Sequence, residues 1–381
     1  MTELLQTEPV LLLFYQISIH IMGRSAILLV NLGSPQSPTT KDLKPYLEEF
    51  LMDERVIDIP KWLRALIVKG LIVPFRSPKS AAKYKTVWTE EGSPLIAHTR
   101  KQRELLQQRT EMPIYFSMRY GSPSTTSVLQ AIHQENPDLG QIILLPLYPH
   151  YAMSSYETAV EQVKQLHAAG RFNSALKIVK PFYNRPSYIK ALSESIRPYL
   201  AHPFDHLLFS YHGIPERHVK KTDCTGTHCL QSENCCSTPS AAHHFCYRHQ
   251  VITTSNLVAA ALGLRESDYS FSFQSRLGRD AWLKPFTVNQ LKAFPSKGIK
   301  NLLIVCPAFV SDCLETLEEI AVEGKEDFLN SGGENFTMIP ALDENKLWID
   351  CMEELVKEEA GFSNDSGIED WADNNVTAGI V

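Results

Sequence analysis

The sequence predicts an α/β protein built from two similar Rossmann-like lobes with a cleft between them. Short apolar runs alternate with helical patterns along most of the 381 residues, which is typical of βα units and a parallel sheet. The alternation occurs once before and once after a proline-containing segment at 180–187. A chain of this length also exceeds one hydrophobic core of ordinary size, so two lobes are expected.

The first lobe is predicted over 25–183, after an extension at 1–24 that we do not expect to join the fold. Apolar runs predict its strands at 26–31, 114–118, 142–147 and 176–179. Helical periodicity predicts helices at 40–51, 95–109, 125–135 and 156–168. A further apolar segment, 59–80, either covers a core or forms the lip of the cleft, since aromatic and cationic residues follow its apolar face.

The second lobe is predicted over 184–360, followed by an acidic, polar tail at 361–381 that is typical of disorder. Apolar runs predict its strands at 206–210, 269–274, 301–306 and 336–340. Helical periodicity predicts helices at 187–200, 240–262, 287–296, 313–324 and 344–359.

Composition excludes several classes of protein. The hydrophobic fraction of 44% and the charged fraction of 21% are those of a soluble globular protein. The net charge is −6 and no basic stripe is present, so a nucleic-acid partner is not expected. The N-terminus has no positive region ahead of its apolar stretch, and that stretch is too short to span a bilayer. The sequence therefore predicts a cytoplasmic protein without a transmembrane segment.

The most informative residue is His212, which stands where a buried strand ends. Gly213 and Pro215 stop the strand at once. In open α/β sheets ligands sit beyond the carboxyl ends of the strands. An imidazole with a pKa near 6.5 can accept a proton at neutral pH. We therefore predict that His212 is a catalytic base.

A second strand end supplies carboxylates. The strand predicted at 301–306 leads into a helix with Glu315, Glu319 and Glu323 at successive i+4 positions. We predict that Glu315 and Glu319 face the cleft, whereas Glu323 lies on a solvated helix face. Carboxylates there can bind a divalent cation or carry protons to solvent.

Several separated motifs together resemble the ferrochelatase family, which inserts Fe²⁺ into a porphyrin. The motifs are LLVNLGSP at 28–35, KYKTVWTEEGSP at 83–94, SMRYGSP at 117–123, LPLYPHYA at 145–152, SYHGIPER at 210–217, FQSRLGRDAWLKP at 273–285 and CPAFVSDCLETLEEI at 306–320. The resemblance implies two lobes, each with a four-stranded parallel sheet flanked by helices. It also implies that Fe²⁺ enters protoporphyrin IX to form protohaem, the last step of haem biosynthesis. His212 would then take the pyrrole protons and Glu315 would face it, both contacting the iron.

The resemblance also assigns the porphyrin site. Arg76 and Lys79, at the end of the lip, become candidate contacts to the propionates. The cleft-lining positions of the family match Tyr84, Ser93, Arg119, Tyr148 and Trp282. The apolar lip is also a candidate surface for peripheral membrane contact. One position departs from the family pattern: Cys313 stands where many members have a histidine, and a thiol with a pKa near 8.5 is a poorer proton relay.

An insert at 222–248 holds five of the eight cysteines: Cys224, Cys229, Cys235, Cys236 and Cys246. In a cytoplasmic chain such a cluster indicates metal or redox chemistry. The spacing lacks the C-x2-C pairs of zinc ribbons and is compatible with an iron–sulfur cluster, while zinc and free thiols remain alternatives. The resemblance favours [2Fe–2S], because some bacterial ferrochelatases carry such a cluster in an insert after the HGIP motif.

Three other functions fit the same residues. A coproporphyrin chelatase would use the same cleft for a more highly charged porphyrin. A cobalt or nickel chelatase would keep the fold and change the metal. A non-catalytic haem or iron carrier would bind in the cleft without turnover, and would have no need of a base facing a carboxylate.

Overall fold

A computed structural model of the protein describes residues 24–276 and 280–362. It confirms the predicted fold class, with two four-stranded sheets in which every pairing is parallel. The predicted N-terminal extension and acidic tail fall almost entirely outside the described residues. Within the described ranges, no helix combines the length and the apolarity needed to cross a bilayer.

The first sheet has the order β2-β1-β3-β4. Its strands are β1 (Ser25–Ser34), β2 (Ile114–Gly121), β3 (Gln141–Pro146) and β4 (Ala175–Ile178). The central strand β1 is buried on both faces, as its continuous apolar run requires. It is longer than the predicted strand and carries the chain from the core to the edge of the cleft.

The second sheet repeats this arrangement with the order β6-β5-β7-β8. Its strands are β5 (His206–His212), β6 (Tyr269–Gln274), β7 (Asn301–Val305) and β8 (Asn335–Met338). In both sheets the carboxyl ends of the strands point toward the cleft, where the motifs lie.

Helices cover the faces of both sheets, as expected for parallel βα units. In the first half of the chain they are α1 (Thr40–Leu51), α2 (Lys61–Ile67), α3 (Val73–Val87), α4 (Pro94–Gln107), α5 (Thr125–Glu135) and α6 (Thr158–Ala169). In the second half they are α7 (Pro186–Ile196), α8 (Glu216–Lys221), α9 (Tyr247–Leu262), α10 (Thr287–Ala293), α11 (Leu314–Leu317), α12 (Lys325–Asn330) and α13 (Lys346–Glu359).

The helix predicted at 313–324 is not regular. Helix α11 ends at Leu317, and a π-helical turn spans Glu319–Gly324 before α12 begins. The Glu318 carbonyl accepts from the amides of both Val322 (3.3 Å) and Glu323 (3.0 Å), which adds a residue to the turn. Such turns occur frequently at functional sites. A second π-helical turn, Met153–Glu157, follows the corresponding strand of the first lobe.

One hydrophobic core joins the two lobes. It contains Ile27 and Leu29 from β1 together with Leu207 and Phe209 from β5. The last helix, α13, packs against α4 of the first lobe and α7 of the second, and its Trp348 is fully buried in this core. This shared core therefore fixes the position of one rim of the cleft relative to the other.

Candidate active site

A cavity of about 490 Å³ lies between the carboxyl ends of the two sheets. This volume is in the range of small-molecule and cofactor sites. Its walls come from the ends of β1, β3, β5 and β7 and from the lip. Predicted residues on these walls are Arg76, Tyr84, Ser93, Tyr148, His212, Trp282, Glu315 and Glu319.

His212 is half-buried on the wall of this cavity. Its Nδ1 lies 2.7 Å from the carbonyl oxygen of Gly213. Because a carbonyl only accepts, Nδ1 carries the proton, which leaves the lone pair on Nε2. Burial lowers the pKa of His212, although the charge of Glu315 opposes this shift. The ring is therefore neutral at neutral pH and free to accept a proton.

Glu315 lies on the same cavity wall as Cys313. The Glu315 carbonyl accepts from the Gln274 amide at 3.0 Å, which ties α11 to the end of β6. Burial, together with the charge of Glu315, raises the pKa of the Cys313 thiol well above its ordinary value. Cys313 is thus a neutral thiol beside the carboxylate.

Glu319 is the next carboxylate after Glu315 on the cavity wall. Burial and the charge of Glu315 raise its pKa to about 7, although Ser275 Oγ donates to its carboxylate. Beyond it, Lys83 Nζ of helix α3 bridges Glu318 at 3.0 Å and Glu323 at 2.7 Å. Glu323 is exposed and does not line the cavity. The carboxylates therefore run from the cavity to a surface ion pair that joins the two lobes.

Aromatic side chains form much of the remaining wall. The buried Tyr148 Oη and Trp282 Nε1 have no hydrogen-bond partner among the residues that the structure describes. Since buried polar groups are normally paired, these two donors are available to a bound ligand. Arg76 is exposed at the lip, where it reaches the rim of the cavity.

Two predicted substrate contacts do not reach the cavity wall. Lys79 is exposed on α3 outside the lining residues. Arg119 is engaged beneath the site instead: it donates to Asp53 and, at 2.8 Å, to Thr158 Oγ1, and it stacks on Tyr120. These contacts show that Arg119 stabilises the packing of the first lobe beneath the cavity.

Sequence reasoning missed many of the other wall residues, among them Tyr46, His150 and Tyr247. Tyr46 Oη donates to the Gly33 carbonyl at 3.1 Å, and Tyr247 Oη donates to the His212 carbonyl at 2.8 Å. Both contacts join residues that are distant in sequence, so no local residue pattern predicts them. His150 lies in the quoted motif at 145–152, where its position beside Tyr148 was an available signal.

The cysteine insert packs behind the His212 wall. Cys229, Cys235 and Cys246 are buried, Cys236 is half-buried and Cys224 is exposed. No set of three or more His, Cys, Asp or Glu side chains in the described ranges is arranged to hold a single metal ion. Four thiols nevertheless form one contiguous group: Cys235 and Cys236 lie 3.9 Å apart, and Cys246 is within hydrogen-bond reach of both Cys236 and Cys229.

The sequence was compared with known families and proteins. A family profile described as Ferrochelatase matches residues 24–360. A protein of Opitutus terrae named Ferrochelatase is 48% identical over 341 residues, covering 88% of this chain and 98% of that protein. Proteins of the same name from Porphyromonas gingivalis and Azotobacter vinelandii are each 44% identical over 338 residues, covering 88% of this chain and 96% and 99% of theirs.

A solved structure shares the fold. The sirohydrochlorin chelatase SirB of Bacillus subtilis subspecies spizizenii, in complex with cobalt, superposes with a TM-score of 0.50. The match covers 89% of this chain and 96% of that one at 11% identity. At this identity the likeness concerns the fold alone.

Proposed function

The chain belongs to the ferrochelatase family, the enzymes that insert ferrous iron into a porphyrin, and from that premise we propose how its cleft does so. The observation that carries the proposal is that His212 and Glu315 line one cavity between the lobes. Metal insertion requires the removal of two pyrrole protons and the release of water from Fe²⁺. A neutral imidazole and a carboxylate supply a proton acceptor and a hard oxygen ligand for these two tasks.

In this proposal His212 takes the pyrrole protons through Nε2. The bond from Nδ1 to the Gly213 carbonyl fixes the tautomer, and burial keeps the ring neutral before the reaction. As the ring gains a proton, the carboxylate of Glu315 stabilises the imidazolium, since an opposite charge nearby favours the charged form.

Glu315 and Glu319 provide the route for iron and protons. The Fe²⁺ substrate meets Glu315 and His212, an oxygen and a nitrogen ligand suited to a transient borderline cation. With a pKa of about 7, Glu319 exchanges protons readily near neutral pH. Glu323 lies beyond this route, where it pairs with Lys83 at the surface.

The porphyrin lies against Tyr84, Tyr148 and Trp282, with Arg76 as the contact to a propionate. Ser93 and the unpaired donors of Tyr148 and Trp282 supply polar contacts to the macrocycle. We propose protoporphyrin rather than coproporphyrin as the substrate, because the lip beside the cavity is strongly apolar. Lys79 and Arg119 do not line the cavity, so in this proposal either side chain would have to move to contact the porphyrin.

The lip is also the proposed surface for peripheral membrane contact. Four large apolar side chains are exposed there: Trp62 (72%), Leu66 (66%), Leu71 (59%) and Phe75 (71%). Grouped apolar exposure on this scale marks an interaction surface. Protoporphyrin is poorly soluble in water, so a lip that touches a bilayer would deliver the substrate directly into the cleft.

We propose that the cysteine group holds a [2Fe–2S] cluster through Cys229, Cys235, Cys236 and Cys246. Four contiguous thiols, three of them buried, fit a four-thiolate cluster, whereas the exposed Cys224 stands apart. A bound cluster would supply one-electron chemistry and a cross-link within the insert. Such thiols require a reducing compartment, which supports the cytoplasm as the location.

The test is anaerobic incubation of the purified protein with Fe²⁺, Co²⁺ or Ni²⁺ and with protoporphyrin or coproporphyrin, followed by haem spectroscopy. We expect turnover to be fastest with Fe²⁺ and protoporphyrin. His212→Ala should lower turnover at least about 100-fold, the scale of a positioned general base. Activity of that variant within about threefold of the wild type would remove His212 from the reaction. Tight haem binding without turnover would instead identify a carrier.

A further inference from the structure

We propose that Tyr247 is a positioning residue for iron insertion, whose hydroxyl holds the peptide that carries the catalytic His212. Tyr247 is buried at the first position of helix α9, directly after the cluster candidate Cys246. Its Oη donates to the His212 carbonyl at 2.8 Å. The inference rests on the proposed role of His212 as the proton acceptor.

The sheet itself cannot supply a donor to this carbonyl. The Gly213 amide donates to the Gln274 carbonyl of β6, and successive residues of a strand turn their polar groups to opposite neighbours. The polar groups of His212 therefore face the side of β7. That strand ends at Val305, whose partner on β5 is Phe209. The His212 carbonyl thus lies beyond the last residue of β7, which cannot donate to it. The Tyr247 hydroxyl supplies the hydrogen bond instead.

The two bonds together fix the orientation of one peptide. The peptide between His212 and Gly213 is planar, so its carbonyl and its amide cannot turn independently. Tyr247 holds the carbonyl and Gln274 holds the amide at 2.8 Å. The His212 ring in turn donates to the next carbonyl, that of Gly213, at 2.7 Å. The direction of Nε2 therefore depends on this peptide.

The turn has little room to relax on its other side. A Cβ on Gly213 would lie 2.8 Å from the Gln274 carbonyl oxygen and 3.3 Å from Trp282 Cε3. Without the Tyr247 hydroxyl, the part-buried His212 carbonyl would lose its donor, and the turn would shift away from the sheet side to find another. A displacement of about 1 Å at a reacting group can lower a rate about 100-fold. Because the Tyr247 hydroxyl is engaged with the His212 carbonyl, removing it should change substrate binding little.

The experiment compares Tyr247→Phe with the matched control Tyr211→Phe. Tyr211 is also fully buried, and its Oη lies 2.8 Å from Ser255 Oγ on the same helix α9. Each variant removes one buried hydroxyl, but only Tyr247 touches the His212 peptide. We expect Tyr247→Phe to lower kcat about 10-fold or more, with KM for porphyrin and for Fe²⁺ within about twofold. Tyr211→Phe should keep kcat within about twofold, with a similar loss of thermal stability.

A wild-type kcat for Tyr247→Phe, an equal fall in kcat for Tyr211→Phe, or a rise in KM alone would each overturn the proposal. Should Tyr247→Phe not fold, Gly213→Ala displaces the same peptide from the sheet side and should also lower kcat. His212→Ala separates this inference from the proposed function. If His212→Ala remains active, the base assignment fails and the role of Tyr247 fails with it. If it is inactive while Tyr247→Phe is not, only the role of Tyr247 fails.

Discussion

The two lobes share one topology but carry different chemistry. In each sheet, the strand that comes first in the sequence of its lobe lies between the strands that come second and third. In the first lobe, the cavity edge presents aromatic and polar side chains such as Tyr148, just after β3, and Ser93, at the start of helix α4. In the second lobe, the equivalent edge presents His212, Glu315 and Glu319. The proposed proton acceptor and its carboxylates thus lie on the rim of the second lobe, whereas the proposed porphyrin contacts other than Trp282 lie on the rim of the first.

The difference begins at the central strands. Near the end of β1, Gly33 adopts φ +108°, and a Cβ there would lie 1.9 Å from the Tyr120 carbonyl oxygen. The first lobe therefore uses its strand end for close backbone packing. The last residue of β5 is instead His212, which lines the cavity. If this division holds, changes in the second lobe should lower kcat, whereas changes in the first should raise the KM for porphyrin.

Glu315→Gln tests the second lobe and has the largest expected effect. It keeps the size of the side chain but removes the charge that faces His212. We expect kcat to fall at least about 100-fold, the scale of a positioned acid or base, with little change in porphyrin KM. Steady-state haem formation measures both parameters. Glu323→Gln, outside the cavity, is the control, and a Glu315→Gln enzyme altered only in KM would contradict the division between the lobes.

The insert at 222–248 is a feature of the second lobe that the first lobe lacks. The proposal that its cysteines hold an iron–sulfur cluster can be tested by the colour of the protein. Cys246→Ser should bleach the sulfide-to-iron absorption of the protein purified anaerobically, because Cys246 lies at the centre of the thiol group. Cys224→Ser should leave the colour unchanged, since Cys224 is exposed and is not one of the four proposed ligands. Iron and acid-labile sulfide near two each per chain are expected. A colourless wild type with one bound zinc would refute the cluster but leave iron insertion intact.

Arg76→Ala tests the first lobe. Removing a guanidinium contact to a propionate should raise porphyrin KM about 5- to 10-fold and leave kcat within about twofold, because the contact is remote from the pyrrole nitrogens. Lys79→Ala is the matched control, one helical turn further along α3 and outside the cavity wall. An equal rise in KM for Lys79→Ala would show that the lip moves on binding and that both cations take part.

Local sequence signals were sufficient for the fold and for part of the site. Apolar runs located all eight described strands, and the glycine and proline that follow β5 identified His212 at its end. Other features depend on contacts between distant segments. The bond from Tyr247 to the His212 carbonyl joins residues 35 apart, and Lys83 pairs with Glu318 across 235 residues. The π-helical turn at Glu319–Gly324 likewise reflects packing, because its sequence has ordinary helical spacing.

The last prediction concerns the stability of the acidic rim. The folded pKa of Glu319 is about 7, against an ordinary value of 4.5. Between these values the folded chain binds a proton that the unfolded chain has released. The contribution of Glu319 to stability is therefore greatest below pH 4.5 and declines as the pH rises toward 7. Above that pH, the protein carries a buried carboxylate beside Glu315.

Glu319→Gln removes this titration and should separate stability from catalysis on the same rim. Relative to the wild type, the variant should gain on the order of 2 kcal/mol in unfolding free energy between pH 5 and pH 8. Urea denaturation at the two pH values measures the gain, with Glu323→Gln as a control whose effect should be the same at both. Because Glu319 also belongs to the proposed proton route, the stabilised variant should turn over more slowly. A variant that is more stable at pH 8 and equally active would place Glu319 outside that route and narrow the catalytic rim to His212 and Glu315.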